Sequence, residues 1–174
     1  MEVAISAEVC VERRSTMMDD KRCVVDTNVL VYSTVSSCPW HREARLWLAA
    51  LVDKGIELCI TPQIVREYLV VLTRGDIFER RFTPEEALSE LEAILPTFTL
   101  LNETEETVFY LQSLIRRYQI QGKAIHDANI VATMLSYGIS RLATYNLNDF
   151  RRFQEIELEP RYQGADGDET HRYR

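Results

Sequence analysis

Four acidic residues, Asp26, Glu67, Asp127 and Asp149, stand where a folded chain can turn them to chemistry. Asp26 ends the apolar run Arg22-Cys-Val-Val and is followed by Thr27 and Asn28. Its side chain is expected in the crevice above a sheet, although Asp, Thr and Asn equally cap turns and helices. Glu67 lies three residues after Ile64 and one before Tyr68, on or beside the apolar stripe of a helix, so its carboxylate faces protein more than water. An ion pair with Arg66 or Arg74 is the plainer alternative. Asp127 opens a helix whose apolar face is Ile130, Val131, Met134 and Leu135, where a negative charge also suits the helix dipole. Asn146 and Asp149 follow the last strand with the spacing of a capping-box-like pair.

As a group the four acids carry more than any one of them. Each falls near a strand-to-helix transition, so all four can converge although they are far apart in sequence. Two or more carboxylates within ~4 to 6 Å raise one another's pKa unless a cation neutralises them. Hard oxygen donors without Cys or His favour Mg²⁺ or Mn²⁺, and the chemistry such a site supports is metal-assisted hydrolysis of a phosphodiester. Other chemistries lack their signatures: there is no G-x-G-x-x-G, G-x-x-x-x-G-K-[ST], G-x-S-x-G or H-E-x-x-H. His41, His126 and His171 are too scattered for a histidine metal cage, and Cys38-x-x-His41 alone reads as packing.

The elements that must position these acids follow from the hydrophobic pattern. Arg22-Cys-Val-Val and Asn28-Val-Leu-Val flank Asp26 and read as a buried strand carrying the carboxylate at its end. After Pro39, residues Trp40, Ala44, Trp47, Leu48 and Leu51 mark a buried helix face that Gly55 stops. Ile56 to Ile60 is a second strand, and Thr61-Pro62 opens a helix carrying Ile64, Val65, Tyr68, Leu69 and Leu72. Thr83-Pro84-Glu85-Glu86 opens another helix, to about Leu95, and Thr97 to Leu101 is a short strand. Helices follow from about Glu103 to Tyr118 and, past a loop containing Gly122, from about Ile125 to Tyr137. A strand near Arg141 to Thr144, a short helix around Leu147 to Phe153 and an edge strand at Ile156 to Leu158 complete the series. Strand and helix alternate throughout, which implies an α/β sandwich with a mostly parallel sheet and ligands bound outside the carboxyl ends of its strands.

Length and composition agree with one soluble domain: 174 residues, 46% hydrophobic and 27% charged, with no apolar stretch near the ~20 residues of a bilayer span. The start lacks a basic n-region, so a cytoplasmic protein without a secretory signal is expected. Cys10, Cys23, Cys38 and Cys59 contain no C-x-x-C pair and read as reduced, mostly buried thiols. The net charge of −7 argues against a general nucleic-acid binder, an objection that weakens if several acids share one metal site. Residues 1–20 form an expected extension, with Met17 or Met18 as an alternative start, residues 21–158 the folded domain, and residues 159–174 a frayed tail.

Four segments carry a family resemblance. Cys-Val-Val-Asp26-Thr-Asn28-Val-Leu-Val, Arg-Glu67-Tyr-Leu, Gly-Lys-Ala-Ile-His-Asp127-Ala-Asn-Ile-Val-Ala and Leu-Ala-Thr144-Tyr-Asn146-Leu-Asn-Asp149-Phe resemble the successive motifs of PIN-domain ribonucleases, especially VapC-type toxins. The resemblance spans about residues 21 to 158. It implies a three-layer α/β/α sandwich, a Mg²⁺- or Mn²⁺-dependent endoribonuclease acting on single-stranded RNA, a homodimer, and a cognate antitoxin. It assigns Asp26, Glu67 and Asp127 to the metal and Asn28 and Thr144 to the polar lining. Asn146 stands where many members have an acid while Asp149 fits an N-x-x-D-F variant, so either can complete the site.

Other readings are a PIN-fold RNA-processing nuclease without an antitoxin, a non-catalytic PIN-fold binding module, and an aspartate-nucleophile phosphatase. The phosphatase class typically has a second Asp where this chain has Asn28. Arg80-Arg81, Arg116-Arg117 with Tyr118, Lys123 and Arg151-Arg152 are candidate phosphate contacts, although adjacent charges on helices are usually solvated faces. The helices near 62–73 and 84–95 carry more aliphatic residues than one sheet face covers, which is the sequence basis for expecting a homodimer.

Overall fold

The computed structural model describes residues 21–74 and 81–161. The expected N-terminal extension, most of the expected tail, Cys10 and Arg80 lie outside the described residues. The chain runs β1 (Arg22–Val25), α1 (Thr27–Thr34), α2 (His41–Asp53), β2 (Glu57–Ile60), α3 (Pro62–Arg74), α4 (Pro84–Ile94), a 3₁₀ turn (Leu95–Thr97) and β3 (Thr99–Leu100). It continues with α5 (Glu105–Tyr118), α6 (Ala124–Ser136), β4 (Arg141–Ala143), α7 (Leu147–Phe150) and β5 (Glu157–Leu158).

All strand pairs are parallel, in the order β3-β2-β1-β4-β5. Strand β1 is central, with Val24 opposite Cys59 on one side and Leu142 on the other. Its residues Cys23, Val24 and Val25 are wholly buried, as required of a strand covered on both faces in an α/β/α sandwich. Because successive strands are added first on one side of β1 and then on the other, a crevice opens beyond the carboxyl ends of β1 and β4. The Asp26 N–H donates to the Ala143 carbonyl at 2.9 Å, which ties the end of β1 to the end of β4 at the lip of that crevice.

One expectation fails locally. Asn28-Val-Leu-Val does not extend the first strand but lies in α1. The Asp26 carboxylate accepts from Thr27 N–H, and its backbone carbonyl accepts from Val29 and Leu30 N–H, so the helix starts immediately after the strand. The run is apolar on successive residues because α1 is enclosed by α2 and α3, and a helix buried on several sides has no polar stripe. The other elements lie within a few residues of their expected bounds. Gly55, at φ 75, takes the left-handed conformation that ends α2.

The start of α4 is held by a reciprocal pair: Glu86 N–H donates to Thr83 Oγ1 at 3.2 Å, and Thr83 N–H donates to Glu86 Oε2 at 2.8 Å. Thr83→Ala should cost about 1 kcal/mol and lower the thermal midpoint by about 2–4 °C in a melting scan. Cys23, Cys38 and Cys59 are buried thiols outside any disulfide, as expected, and burial pushes the Cys23 thiol up to about 12, leaving it unreactive at neutral pH.

Candidate active site

The turn after β1 places Asp26, and three donors fix its carboxylate. Oδ1 accepts from Thr27 N–H at 2.7 Å; Oδ2 accepts from Asn28 Nδ2 at 2.8 Å and from the Thr144 hydroxyl at 2.6 Å. Capping and site-building are therefore one arrangement at this residue. Asp26 is only 6% exposed. Burial pushes its carboxyl up to about 6; the Thr144 and Thr27 bonds oppose this, and the charges of Glu67 and Asp127 add to it.

Helix α3 brings Glu67 to the same place. Its Oε2 accepts from the Thr27 hydroxyl at 2.9 Å and its Oε1 from Gln63 Nε2 at 2.7 Å, in place of the ion pair with Arg66 or Arg74. Asp127, in the first turn of α6, is half-buried, with no hydrogen-bond partner recorded among the described residues. Burial first, then the charges of Asp149 and Glu67, push its carboxyl up to about 6 against the opposing pull of Arg152 and His126.

Beyond β4, Thr144 is a junction: its hydroxyl donates to Asp26 and accepts from Asn146 N–H at 2.9 Å and Asn28 Nδ2 at 3.3 Å. Asn28 Oδ1 in turn accepts from Tyr145 N–H at 3.1 Å. Asn146 and Asp149 do not form the expected cap, because the Asn146 side chain makes no capping bond to α7. Its Nδ2 instead donates to Asp149 Oδ2 at 2.6 Å.

A cavity of about 220 Å³ opens here. Asp26, Thr27, Asn28, Glu67, Asp127 and Asn146 form its polar wall, and Val31, Tyr32, Val71 and Phe150 its apolar one. Asp149 does not line it; this residue holds Asn146 and acts on Asp127 through its charge. Thr27, which no motif singled out, links two of the acids, and its position beside Asp26 and ahead of an apolar helix was the only cue in the sequence.

Among the described residues no three Asp, Glu, His or Cys side chains are gathered into a closed ion cage. The carboxylates frame the cavity instead of meeting at its centre. This donor set nevertheless fits Mg²⁺ or Mn²⁺: every donor is oxygen, two carboxyls are raised by burial and mutual repulsion, and Mg²⁺ commonly binds through one or two carboxylates while keeping waters. The raised acids set a sign for stability. Between about pH 4 and pH 6 these two carboxyls bind more protons in the folded metal-free protein than in the unfolded chain, so their contribution to stability falls as pH rises through this window. Thermal midpoints in EDTA should be higher at pH 4.5 than at pH 7, by an amount on the order of 1–3 kcal/mol of stability. Added Mn²⁺ should reduce that difference.

The candidate phosphate contacts sort by position. Arg117 is paired with Glu155 at 2.8 Å and also donates to Gln154, and Tyr118 donates to Glu155; this cluster fastens α5 to the segment before β5. Arg152 is exposed and near enough to Asp127 to pull its carboxyl down.

No helix among the described residues is long and apolar enough to cross a membrane. The chain is 24% identical over 137 residues to Ribonuclease VapC24 of Mycobacterium tuberculosis, an alignment covering 74% of this chain and 89% of the relative. Its fold is similar to VapBC2 from Rickettsia felis bound to a promoter DNA fragment (TM-score 0.61, 19% identity, 79% of this chain and 97% of the other). It is also similar to VapC20 of Mycobacterium tuberculosis, described as a sarcin-ricin loop cleaving toxin (TM-score 0.58, 16% identity, 77% and 98%). The PIN domain family model matches residues 23–156, from the first residues of β1 to the edge of β5, and this protein accordingly belongs to the PIN domain family.

Proposed function

We propose that this protein is a Mg²⁺- or Mn²⁺-dependent endoribonuclease of the VapC type, hydrolysing phosphodiester bonds of single-stranded RNA. The observation that carries the reading is the convergence of Asp26, Glu67 and Asp127 on one cavity, with Asp149 behind Asn146 at its edge and two carboxyls raised to about 6. Nothing in a purely structural role requires buried, mutually repelling acids at the ligand-binding edge of a parallel sheet.

Asp26, Glu67 and Asp127 would hold the metal ion, with Asp149 acting directly or through Asn146. When bound, the ion supplies charge stabilisation at the phosphate oxygens and an activated water. Thr27, Asn28 and Thr144 keep the carboxylate oxygens of Asp26 and Glu67 aimed, so that no reorganisation is needed when RNA arrives. Val31, Val71 and Phe150 exclude bulk water from one side of the cavity. Arg152, exposed beside Asp127, is placed to meet a phosphate and offsets the acidity that would otherwise repel RNA. An aspartate-nucleophile mechanism fits less well, because Asn28 replaces the second acid and spends its amide on Asp26.

The structures this fold resembles include a toxin–antitoxin complex from Klebsiella pneumoniae and DNA-bound VapBC from Salmonella typhimurium, which supports a toxin inhibited by a cognate antitoxin. The homodimer remains part of the reading. Val70 on α3 and Leu88 on α4 are about half exposed, consistent with an apolar face shared between copies. Incubation of the purified protein with single-stranded RNA should give internal cuts with Mg²⁺ or Mn²⁺ and none with EDTA. Intact RNA in the presence of metal, or cutting undiminished by EDTA, would sink the proposal.

A further inference from the structure

We propose that Gln63 is a positioning residue that sets the orientation of Glu67 and its separation from Asp127; the inference rests on the metal-dependent reading above.

Gln63 and Glu67 are one helical turn apart on α3 and share a face. Gln63 is 5% exposed; it lies outside the cavity that holds Asp26 and on the wall of a neighbouring cavity of about 300 Å³ that shares Glu67 with it, so its effect on the Asp26 cavity passes through its neighbours. Its amide is nearly saturated. Nε2 donates to Glu67 Oε1 at 2.7 Å and to the His126 carbonyl at 3.0 Å, while Oε1 accepts from Asn129 Nδ2 at 2.9 Å. The opposite amide orientation would set an oxygen against a carboxylate and a carbonyl, and would face an NH₂ with the Asn129 NH₂, so the network admits one orientation.

The two helices joined here are those that carry two of the site's acids. His126 and Asn129 bracket Asp127 in the first turns of α6, and one glutamine side chain bonds to both while also holding Glu67. The Thr27 hydroxyl takes the other Glu67 oxygen. Glu67 therefore has one donor on each oxygen, and its remaining lone pairs are directed by two fixed partners. Without Gln63, Glu67 keeps a single anchor and can rotate its carboxylate, and α6 loses the bond that fixes Asp127's turn against α3. Partners of this kind typically contribute 10–100-fold to metal affinity or activity.

The test compares wild type, Gln63→Met, Asn129→Ala and Glu67→Gln. Methionine fills the glutamine volume with no donor. Mn²⁺ affinity is measured by calorimetry with the metal alone, well below the melting temperature, and RNA cleavage is followed separately. Gln63→Met should weaken Mn²⁺ binding roughly 10-fold and lower kcat by a similar factor with KM for RNA little changed. In the Glu67→Gln background the same substitution should have a smaller further effect, since only the part that Gln63 exerts on Asp127 through His126 and Asn129 is left to lose. A merely structural role would lower the melting temperature and leave Mn²⁺ affinity intact. Mn²⁺ affinity and kcat within twofold of wild type in folded Gln63→Met overturn the proposal. If Gln63→Met does not fold, Asn129→Ala, which frees Gln63 Oε1 from outside, should weaken Mn²⁺ at least about threefold, and wild-type affinity there overturns it equally. Wild-type protein that neither binds Mn²⁺ nor cuts RNA would instead remove the metal-dependent reading itself.

Discussion

Asp26→Asn should abolish RNA cleavage while leaving the fold in place. Asparagine retains the oxygen that caps α1 but replaces Oδ2 with an NH₂ facing the Asn28 amide and the Thr144 hydroxyl. Neither neighbour takes the new NH₂ without loss, because the Thr144 hydroxyl already accepts from Asn146 N–H and the Asn28 amide while the Asn28 NH₂ can only donate, which costs about 1–3 kcal/mol. Against that cost, the variant removes a buried carboxylate whose charge is disfavoured by burial and by Glu67 and Asp127. The two effects have opposite sign and similar size, so the thermal midpoint should stay within about 5 °C of wild type. Activity has no such compensation: losing a charge that holds the metal should exceed the ~10–100-fold effect of losing an outer partner. Cleavage by Asp26→Asn within tenfold of wild type would remove this carboxylate from the mechanism.

The second large effect is thermal. A divalent ion that binds only the native protein adds RT ln(1 + [L]/Kd), about 2.7 kcal/mol at a hundredfold excess over Kd, which for a domain of this size is about 5–10 °C. Asp127→Asn should respond in opposite directions in the two conditions. In EDTA its midpoint should match or exceed wild type, because one member of a repelling set becomes neutral. With Mn²⁺ its gain should shrink markedly. Were Asp127 only a favourable charge at the start of α6, the substitution would cost a few tenths of a kcal/mol with or without metal. Equal Mn²⁺-induced shifts in the two proteins would leave the clustered-carboxylate account without support.

Much of this site was legible in the sequence because its residues sit at punctuation. Asp26 closes an apolar strand, Asp127 opens an apolar helix, and Thr61-Pro62 and Thr83-Pro84 mark helix starts by local chemistry that distant packing does not alter. What misled was α1: Asn28-Val-Leu-Val is apolar in strand fashion because α2 and α3 enclose it, and short apolar runs do not separate buried helix from buried strand. Partners of side chains were less legible still. Thr27 to Glu67 and Asn146 to Asp149 are bonds made by the tertiary arrangement, and an i, i+3 pair such as Asn146 and Asp149 looks like a cap whether or not it is one. The pairing of Arg117, a candidate phosphate contact, was hidden for the same reason, because Glu155, far along the chain, is its neighbour in space.

The central place of β1 has a consequence for how the protein comes into being. Strand β4, which brings Thr144 to Asp26, joins β1 from 118 residues away, whereas β2 joins from the next strand in sequence. Such distant closures carry the larger entropy cost and make a parallel sheet slow to complete. A chain in which β1, α1 and α3 have assembled holds Asp26 and Glu67 together but has neither Asp127 nor Asn146 in place. Such a partly folded copy would hold an incomplete site, so the proposed activity would be expected only once β4 and α6 are docked and Asp127 and Asn146 are in place.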